Sequence, residues 1–411
     1  MAGIYIHIPF CKQACNYCNF HFSTSLKFKD ELITALVKEI QLTPTFSANS
    51  TSVPILNISE EKREIIDTIY FGGGTPSILD ITDLQLLFIS LHTRFNFKDS
   101  IEITLEANPD DITPAKLSLW KEAGINRLSV GIQSFIEEEL VWMNRAHTAT
   151  ESLQCIDEIK QAGYTNFSVD LIYGSPLLSN EDWKRNTDLV IEKNIPHISC
   201  YALTVEPKTV LDKMISQHKK APIDTEKQAV QFLLLMDRMQ QAGYEHYEIS
   251  NFAKPGSRSK HNSSYWQGQK YYGFGPSAHS FDGKSRRWNI TNNALYIQSL
   301  KNNNIPFEEE MLTPTQQLNE YIMTSLRTSE GLNLTIVEKR FGKKMSADLL
   351  TASEKWNACG KILFIENSMG LLCCLCRSIR RTATFATSSP PRSENPASSP
   401  LARAPRAINH A

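Results

Sequence analysis

The sequence predicts an α/β protein, a partial (β/α)6 barrel followed by a small, mainly helical domain. Between residues 4 and 202, short apolar runs alternate with segments of helical periodicity, which is typical of parallel strands joined by crossover helices. Three of the predicted helices end in Ala-Gly followed by an apolar residue, at Gly124, Gly163 and Gly243. Glycine suits the left-handed position that follows a helix, so each of these helices is expected to lead into a strand.

The predicted strands indicate where a ligand site is expected. In a barrel of parallel strands, binding and catalytic groups lie at the carboxyl ends of the strands. Residues directly after the strands are therefore the candidates for function. The strands are predicted at 4–8, 68–71, 101–105, 127–130, 167–172 and 197–202, and helical spacing is clear at 30–42 and 152–161.

Composition divides the chain into four segments. We expect the barrel at 1–240, an extension rich in Tyr, Ser, Asn, Gly and His at 241–305, and the small domain at 306–366. Within the barrel, residues 49–61 are predicted to form an insertion loop. The tail at 367–411 contains six arginines and no lysine, and its Ser, Pro and Ala content predicts disorder. Such a tail is either a frameshift product or a natural disordered segment.

Charge and hydropathy exclude some classes of function. The formal net charge is −1 and no basic block stands beside aromatic residues, which argues against nucleic-acid binding driven by bulk charge. The N-terminus does not resemble a signal peptide, and no apolar run approaches the roughly 18 residues that a membrane span requires. The sequence therefore predicts a cytoplasmic protein.

Three of the nine cysteines, Cys11, Cys15 and Cys18, stand directly after the first predicted strand. In a reducing compartment a tight group of this kind indicates a metal site rather than disulfides. Three thiolates can hold three irons of a [4Fe-4S] cluster, and the fourth iron then stays open to a ligand such as S-adenosylmethionine (SAM). A structural zinc site with His21 as fourth ligand is the alternative, although zinc often takes paired Cys-x2-Cys ligands that this spacing lacks.

The segment around these cysteines resembles a known family. Residues 5–11 read Tyr-Ile-His-Ile-Pro-Phe-Cys and residues 18–20 read Cys-Asn-Phe, which is similar to the coproporphyrinogen oxidase-like family of the radical SAM superfamily. The resemblance spans about residues 3–366. It implies a barrel of the radical SAM type, a winged-helix-like C-terminal domain, and a [4Fe-4S] cluster and SAM as cofactors. Because the sequence departs from the family near residue 367, we expect that domain to be incomplete and to expose apolar surface.

The resemblance also implies a set of SAM-binding residues. Residues 72–76 read Gly-Gly-Gly-Thr-Pro after the second strand, and glycines let the backbone approach a ligand closely. A guanidinium at Arg145 can pair with a carboxylate. Tyr17, between two of the cysteines, would either pack on the adenine or shield the cluster from water. By resemblance, the positions that contact SAM are Tyr5, Gly73, Gly74, Thr75, Glu106, Gln133, Arg145 and Asp170.

A second stretch of the family pattern, at 247–253, 261–266 and 273–280, carries histidines and tyrosines. Imidazole and phenolate are axial ligands of haem iron, so His261 and His279 are predicted to lie near a bound tetrapyrrole. The alternative for each is a histidine that hydrogen-bonds to loop backbone.

Two departures separate the branches of this family. Anaerobic coproporphyrinogen III dehydrogenases resemble a pattern with a fourth cysteine, and Phe20 stands at that position here. Those enzymes also carry a longer N-terminal arm, whereas only ten residues precede Cys11 in this sequence. Both departures favour the HemW-type haem chaperone branch, whose members bind haem and hand it to apo-haemoproteins such as respiratory enzymes. The alternatives are the dehydrogenase, which oxidatively decarboxylates two propionates of coproporphyrinogen III, and a radical SAM enzyme with an unrelated substrate.

The resemblance implies partners and leaves the catalytic residues unassigned. We expect haem or another tetrapyrrole, recipient haemoproteins and an electron donor, with peripheral association at a membrane that holds respiratory proteins. We expect no nucleic-acid partner, since the charge pattern does not favour one.

Overall fold

The computed structural model describes residues 2–46, 63–365 and 368–371. These residues form two compact units. The first contains the described residues up to 246 together with 250–264 and 268–312, and the second contains 247–249, 265–267 and the described residues from 313 to 371. The predicted insertion loop at 49–61 and the tail beyond 371 lie outside the described residues.

Six parallel strands form the centre of the first unit and follow one another across the sheet in chain order. Each predicted strand lies within an observed one, and the α/β fold class is confirmed. Their outer faces are apolar, which is why they pack against the crossover helices. The strands are β1 (Ala2–Ile8), β2 (Glu64–Gly73), β3 (Phe95–Ala107), β4 (Arg127–Gln133), β5 (Phe167–Tyr173) and β6 (His197–Ala202).

Both ends of this parallel sheet are extended by strands from residues 241–312. At one end β6 pairs with an antiparallel strand, and at the other end β1 pairs with a parallel strand that leads into an antiparallel meander. The six parallel strands therefore form an open sheet, as a partial barrel requires. The added strands are β7 (Glu245–Glu248), β8 (Asn251–Ala253), β9 (Lys270–Phe274), β10 (His279–Phe281), β11 (Ser285–Asn289) and β12 (Phe307–Met311).

The helices of the first unit begin and end at the sequence signals. Thr113, Thr148 and Ser179 accept hydrogen bonds from the first turns of their helices, which satisfies backbone donors that lack helical partners. Gly124, Gly163 and Gly243 have φ of 99°, 76° and 80°, so the predicted left-handed ends are confirmed. The helices are α1 (Lys29–Leu42), α2 (Ile81–Arg94), α3 (Pro114–Glu122), α4 (Glu137–Met143), α5 (Ala149–Gln161), α6 (Asn180–Glu192), α7 (Val210–Ser216), α8 (Thr225–Gln241), α9 (Lys260–Trp266) and α10 (Asn293–Lys301).

Alternation along each strand separates an apolar outer face from a polar inner face. On β4, Leu128, Val130 and Ile132 belong to the main hydrophobic core, and the residues between them point to the opposite side of the sheet. That inner face carries hydroxyl, carboxylate, imidazole and guanidinium groups on neighbouring strands. The interior enclosed by the sheet is therefore suited to polar ligands rather than to packing alone.

The second unit has a small core under a three-stranded sheet. The last strand extends past the boundary that composition drew at residue 367, because Met369 is 1% exposed and fills the core beside Leu332. Four residues that composition assigned to the tail therefore pair with β13 and β14. The incompleteness of this domain stays a prediction. The elements are α11 (Pro314–Ser325), β13 (Leu332–Asn333), α12 (Leu334–Phe341), α13 (Lys343–Ala358), β14 (Ile362–Ile365) and β15 (Ser368–Leu371).

Within residues 2–46, 63–365 and 368–371, no helix has both the length and the apolarity that crossing a membrane requires.

Candidate functional site

The candidate site lies at the carboxyl ends of β1, β2 and β3. Ile8 pairs with Gly73 in the parallel register of β1 and β2, so the cysteine loop and the glycine turn leave the sheet side by side. Glu106, near the end of β3, faces the same turn and accepts a hydrogen bond from the Gly73 backbone N–H at 3.0 Å. Three sequence-predicted features are thus brought together by strand order.

The cysteine loop holds three free, partly exposed thiols. Its backbone is tied down where the Cys11 N–H donates to the Ser23 carbonyl at 3.0 Å and the Cys18 N–H donates to the Cys15 carbonyl at 3.3 Å. Burial raises the pKa of Cys11 to about 11 and that of Cys18 to about 12. Both thiols are therefore protonated at neutral pH without metal, and loading with iron must release protons.

The side chains at this loop suit one kind of metal centre better than another. Among the described residues, no three His, Cys, Asp or Glu side chains are arranged to hold one metal ion. Three thiolates that bind three different irons of a cubane do not have to converge on one point, whereas structural zinc needs four converging ligands. His21, the proposed fourth zinc ligand, has its Nε2 2.7 Å from Asn293 Oδ1. The residues fit an iron–sulfur cluster better than a zinc ion.

The glycine turn after β2 packs directly on the cysteine loop. The Gly74 N–H donates to the Ile8 carbonyl at 2.9 Å, and the Thr75 N–H donates to the Phe10 carbonyl at 2.6 Å. A Cβ on Gly74 would lie 2.5 Å from the Phe10 carbonyl oxygen, and Gly73 has a φ of 114°. Only glycine satisfies both the close approach and the left-handed backbone, so this turn holds the cysteine loop in place.

Tyrosines from β1 and β2 orient the Glu106 carboxylate. The Tyr70 hydroxyl donates to Glu106 Oε1 at 2.8 Å, and the Tyr70 ring stacks on Tyr5 with centroids 6.1 Å apart. Burial raises the pKa of Glu106 to about 7, against the lowering effect of the Tyr70 hydrogen bond. Sequence reasoning missed Tyr70, although its position at an inward-facing site two residues before the glycine turn was the available signal.

Arg145, two residues after α4, connects the cysteine loop to two strand ends. Its guanidinium donates to Cys15 Sγ at 3.2 Å, to Asn108 Oδ1 at 2.9 Å and to the Gly131 carbonyl at 2.7 Å. Its Nε is buried and has no hydrogen-bond partner among the described residues. A cation so held can bind an anionic group next to the thiols. Sequence reasoning missed Asn108, which follows Glu106 at the end of β3.

Gln133 and Asp170 lie further along the same edge of the sheet. Gln133 has a left-handed φ of 67° at an irregularity in the β4–β5 register, and such strain in a residue other than glycine is common at functional sites. Burial raises the pKa of Asp170 to about 6, opposed by a hydrogen bond from Ser199 and by the charge of Arg127. Tyr17 packs beside the apolar cluster of Met143, Ile172, Leu203 and Leu211.

The two histidines of the second motif have different surroundings. His261, on α9, is 1% exposed, its Nδ1 lies 2.8 Å from the Thr68 hydroxyl, and its ring stacks on Tyr70 at 5.0 Å. Burial lowers its pKa to about 3. His279 is partly exposed on β10, with its ring 6.2 Å from Trp288. The His261 imidazole is therefore enclosed, whereas part of His279 is exposed.

Comparisons with known proteins agree with this arrangement. Residues 5–190 match the model of the Radical SAM superfamily. Among solved structures, coproporphyrinogen III oxidase (HemN) from Escherichia coli, described as a radical SAM enzyme, superposes with a TM-score of 0.76 and 21% identity over 92% of this chain and 88% of that chain. This likeness shows the shared fold.

Curated relatives narrow the family. A protein of Synechocystis sp. described as heme chaperone HemW is 33% identical over 80% of this chain and 78% of the relative. The protein of Bacillus subtilis with the same description is 32% identical over 85% of this chain and 88% of the relative. Since this similarity spans most of both chains, the chain belongs to the heme chaperone HemW family of the radical SAM superfamily.

Proposed function

We propose that the chain is a haem chaperone that carries a [4Fe-4S] cluster and SAM, binds haem and delivers it to apo-haemoproteins. The similarity to heme chaperone HemW proteins over most of both chains is the observation that carries this proposal. Phe20, in place of a fourth cysteine in the loop, supports the chaperone over the dehydrogenase. The dehydrogenase has the same fold, so the fold alone does not separate the two functions.

In this proposal the thiolates of Cys11, Cys15 and Cys18 hold the cluster. When bound, the cluster would supply an open iron position for SAM and an electron for its sulfonium. The protein keeps the three thiols in one loop by packing Gly74 against Phe10 and by the Arg145 contact to Cys15. It also places these groups at the partly exposed strand ends, where SAM can enter.

The residues around the glycine turn are proposed to bind SAM. Its amino group would find acceptors in the turn at Gly73, Gly74 and Thr75, and Glu106 would stabilise positive charge there. The SAM carboxylate would pair with Arg145, whose Nε has no partner among the described residues. The nucleoside would lie along Tyr5, Gln133 and Asp170, with Tyr17 closing the apolar side.

Haem is proposed to bind near His261 and His279. His279 is partly exposed, whereas ligation by His261 requires release of the contact to Thr68. Haem titration of His279→Ala and His261→Ala tests this assignment by the position and intensity of the Soret band. The exposed His218 provides the control His218→Ala. Loss of the ligated spectrum in either proposed variant supports the site, and unchanged spectra in both would refute it.

The decisive functional experiment compares transfer with turnover. Anaerobically loaded protein with SAM and a reductant is incubated with coproporphyrinogen III, and in parallel haem-loaded protein is mixed with an apo-haemoprotein. We expect stoichiometric haem binding and haem transfer without formation of protoporphyrinogen. Catalytic decarboxylation of coproporphyrinogen III would instead establish the dehydrogenase.

We further propose that the protein works in the cytoplasm with an electron donor and that it meets recipient haemoproteins at a respiratory membrane. The three free thiols support a reducing compartment, because a disulfide there would block cluster assembly. Flotation of haem-loaded protein with vesicles that contain an apo-respiratory haemoprotein tests the membrane association. Vesicles without that protein are the control, and equal recovery from both would contradict recruitment by the recipient.

A further inference from the structure

Arg127 is the first residue of β4 and lies inside the barrel, on the inner face of the sheet. It is 1% exposed, and none of its three guanidinium nitrogens has a hydrogen-bond partner in the described part of the chain. Arg127 also forms no salt bridge within 4.0 Å to a carboxylate of the described residues. A buried cation with no hydrogen bonds is therefore built into the interior of the barrel.

Such a group is costly for folding. Removing a charge from water without compensating hydrogen bonds carries a penalty that nearby apolar side chains do not incur. A methionine of similar length would fill the same space without this penalty. Stability therefore gives no reason for an arginine at this position, and a functional reason is needed.

The strand register places Arg127 and Asp170 on the same inner face of two neighbouring strands. Ser129 pairs with Ser168 across β4 and β5. Arg127 stands two residues before Ser129, and Asp170 stands two residues after Ser168. All four side chains point inward because they alternate with the apolar outer residues. The long side chain of Arg127 brings its guanidinium closer to the Asp170 carboxylate than the two backbones are. The positive charge acts on that carboxylate through the protein interior, which screens charges less than water does.

Several other groups face Asp170 from the surrounding strands. From β6, the Ser199 hydroxyl hydrogen-bonds to it, whereas the neighbouring Cys200 thiol belongs to the hydrophobic core on the outer face. Glu106 on β3 opposes the ionisation of Asp170 when it is itself ionised, because two carboxylates repel. Tyr70 on β2 stays uncharged, since burial raises its pKa well above the ordinary value. The only other cation among the groups that act on Asp170 is Arg145, which is already bonded to Cys15, Asn108 and Gly131.

This distribution gives the two arginines different roles. In the proposed function Arg145 pairs with the SAM carboxylate, so SAM itself neutralises much of its charge at Asp170. Arg127 has no partner in the described residues that would compete for its charge. It therefore remains as the cation that acts on Asp170 after SAM has bound.

We propose that Arg127 is a positioning residue of the SAM site, which keeps Asp170 ionised so that its carboxylate can accept hydrogen bonds from SAM. The proposal rests on the proposed SAM contact of Asp170. Burial raises the pKa of Asp170 to about 6, and Arg127 is among the groups that limit the rise. Without Arg127 the pKa rises further, so a larger fraction of Asp170 is protonated at neutral pH and SAM binds less well.

The test measures SAM affinity of the cluster-loaded protein by equilibrium dialysis from pH 6 to pH 8.5, and the melting temperature of the metal-free protein. If the Asp170 pKa rises by about one unit in Arg127→Met, we expect SAM binding to weaken by about twofold at pH 7 and by about fivefold at pH 6, with recovery at higher pH. Arg127→Lys keeps the charge and restores most of the affinity. The melting temperature of metal-free Arg127→Met stays the same or rises.

Asp170→Asn separates this proposal from the proposed SAM site itself. In the Asp170→Asn background, Arg127→Met is expected to cause no further loss, because the group on which the charge acts is gone. An additive loss in the double variant, or an unchanged pH midpoint in Arg127→Met together with a lower melting temperature, would make Arg127 merely structural. Wild-type affinity in Asp170→Asn would remove Asp170 from the SAM site and overturn both assignments.

Discussion

The inner face of the parallel sheet has two ends that use their polar groups differently. At the carboxyl end, the thiols of the cysteine loop are free and partly exposed. Toward the amino end, Glu102 accepts hydrogen bonds from the backbone N–H groups of His261 and Lys260 at 3.0 and 3.2 Å, and His261 bonds to Thr68. The carboxyl end keeps unused binding capacity, whereas most groups at the amino end satisfy one another.

This difference shows that polar groups inside one sheet can serve two purposes, ligand binding at one end and support of the fold at the other. Buried polar groups are normally hydrogen-bonded. At the amino end, the bonds that Glu102 and Thr68 form with residues of α9 meet this need and hold the helix in place. The open donors and acceptors at the carboxyl end are explained only by a ligand. Arg127 departs from this pattern at the amino end: among the described residues its three guanidinium nitrogens have no hydrogen-bond partner, and unlike the nearby Thr104 hydroxyl, which also has none, it carries a charge.

The largest effect is expected from removal of any thiol in the cysteine loop. Cys11→Ser, Cys15→Ser and Cys18→Ser should each abolish the [4Fe-4S] absorbance and the iron and sulfide content, because a serine hydroxyl is a poor ligand for this cluster. Anaerobic reconstitution followed by iron analysis measures the loss. Cys359→Ser, at an exposed cysteine of the second unit, serves as control and should load fully.

A smaller but still severe effect is expected for Gly74→Ala. The new Cβ would meet the Phe10 backbone, so the cysteine loop must shift, and a displacement of about 1 Å can lower function by about a hundredfold. Reduced cluster occupancy and SAM affinity are the measurements. Gly243→Ala is the matched control: its φ is 80° with open space around it, so it should cost about 1–2 kcal/mol of stability and leave the cluster intact. Equal effects in both variants would contradict a special role for the turn.

The next effect concerns the charge of Glu106. Loss of charge-assisted hydrogen bonds of about 1.5–3 kcal/mol predicts SAM binding roughly 10- to 100-fold weaker in Glu106→Gln. Since the pKa of Glu106 is raised to about 7, wild-type affinity should increase as pH rises from 6 to 8, and that dependence should be smaller in the variant. The exposed Glu138 provides the control Glu138→Gln. An identical pH dependence in wild type and Glu106→Gln would exclude this role.

The same carboxylate predicts a pH effect on the metal-free protein. A carboxyl whose folded pKa exceeds its ordinary value stabilises the fold at low pH, and that contribution is lost as pH rises from about 4.5 to about 7. Glu106→Gln should therefore gain stability relative to wild type over this window, as measured by melting temperature. A constant difference across the window would show that burial does not perturb Glu106.

The smallest effect is expected at the closed amino end. Thr68→Val removes the hydroxyl that bonds to His261 and should lower the free energy of unfolding by about 1–3 kcal/mol, while cluster content and SAM affinity stay unchanged. Thr34→Val, at an exposed position of α1, is the control and should change stability far less. Loss of SAM binding in Thr68→Val at full stability would erase the distinction between the two ends.

Local signals predicted much of the fold. Apolar runs located all six parallel strands, and Ala-Gly endings located three helix ends, because both depend on residues close in sequence. The strand β15 was not predicted, since composition assigned it to the tail and only tertiary packing places Met369 in a core. The pairing of β9 with β1 was likewise not predicted, because it joins segments that are far apart in sequence.

The sequence motifs predicted which segments form the candidate site, but they did not predict the contacts between its side chains. Strand order brought the cysteine loop, the glycine turn and Glu106 together as expected. The Tyr70 bond to Glu106, the Asn108 bond to Arg145 and the enclosure of His261 depend on side-chain direction and on the position of α9, which no local pattern encodes. The roles of these residues in binding SAM and haem stay predictions.

The most direct test is electron paramagnetic resonance and electron–nuclear double resonance of the reduced cluster, with SAM labelled by ¹⁵N at its amino group. The account predicts a [4Fe-4S] signal that changes when SAM is added and shows coupling to the labelled nitrogen. It also predicts that the signal is lost when Cys11, Cys15 and Cys18 are replaced by serine. A cluster that survives those replacements, or one whose signal shows no nitrogen coupling with SAM present, would contradict an iron left open by three thiolates.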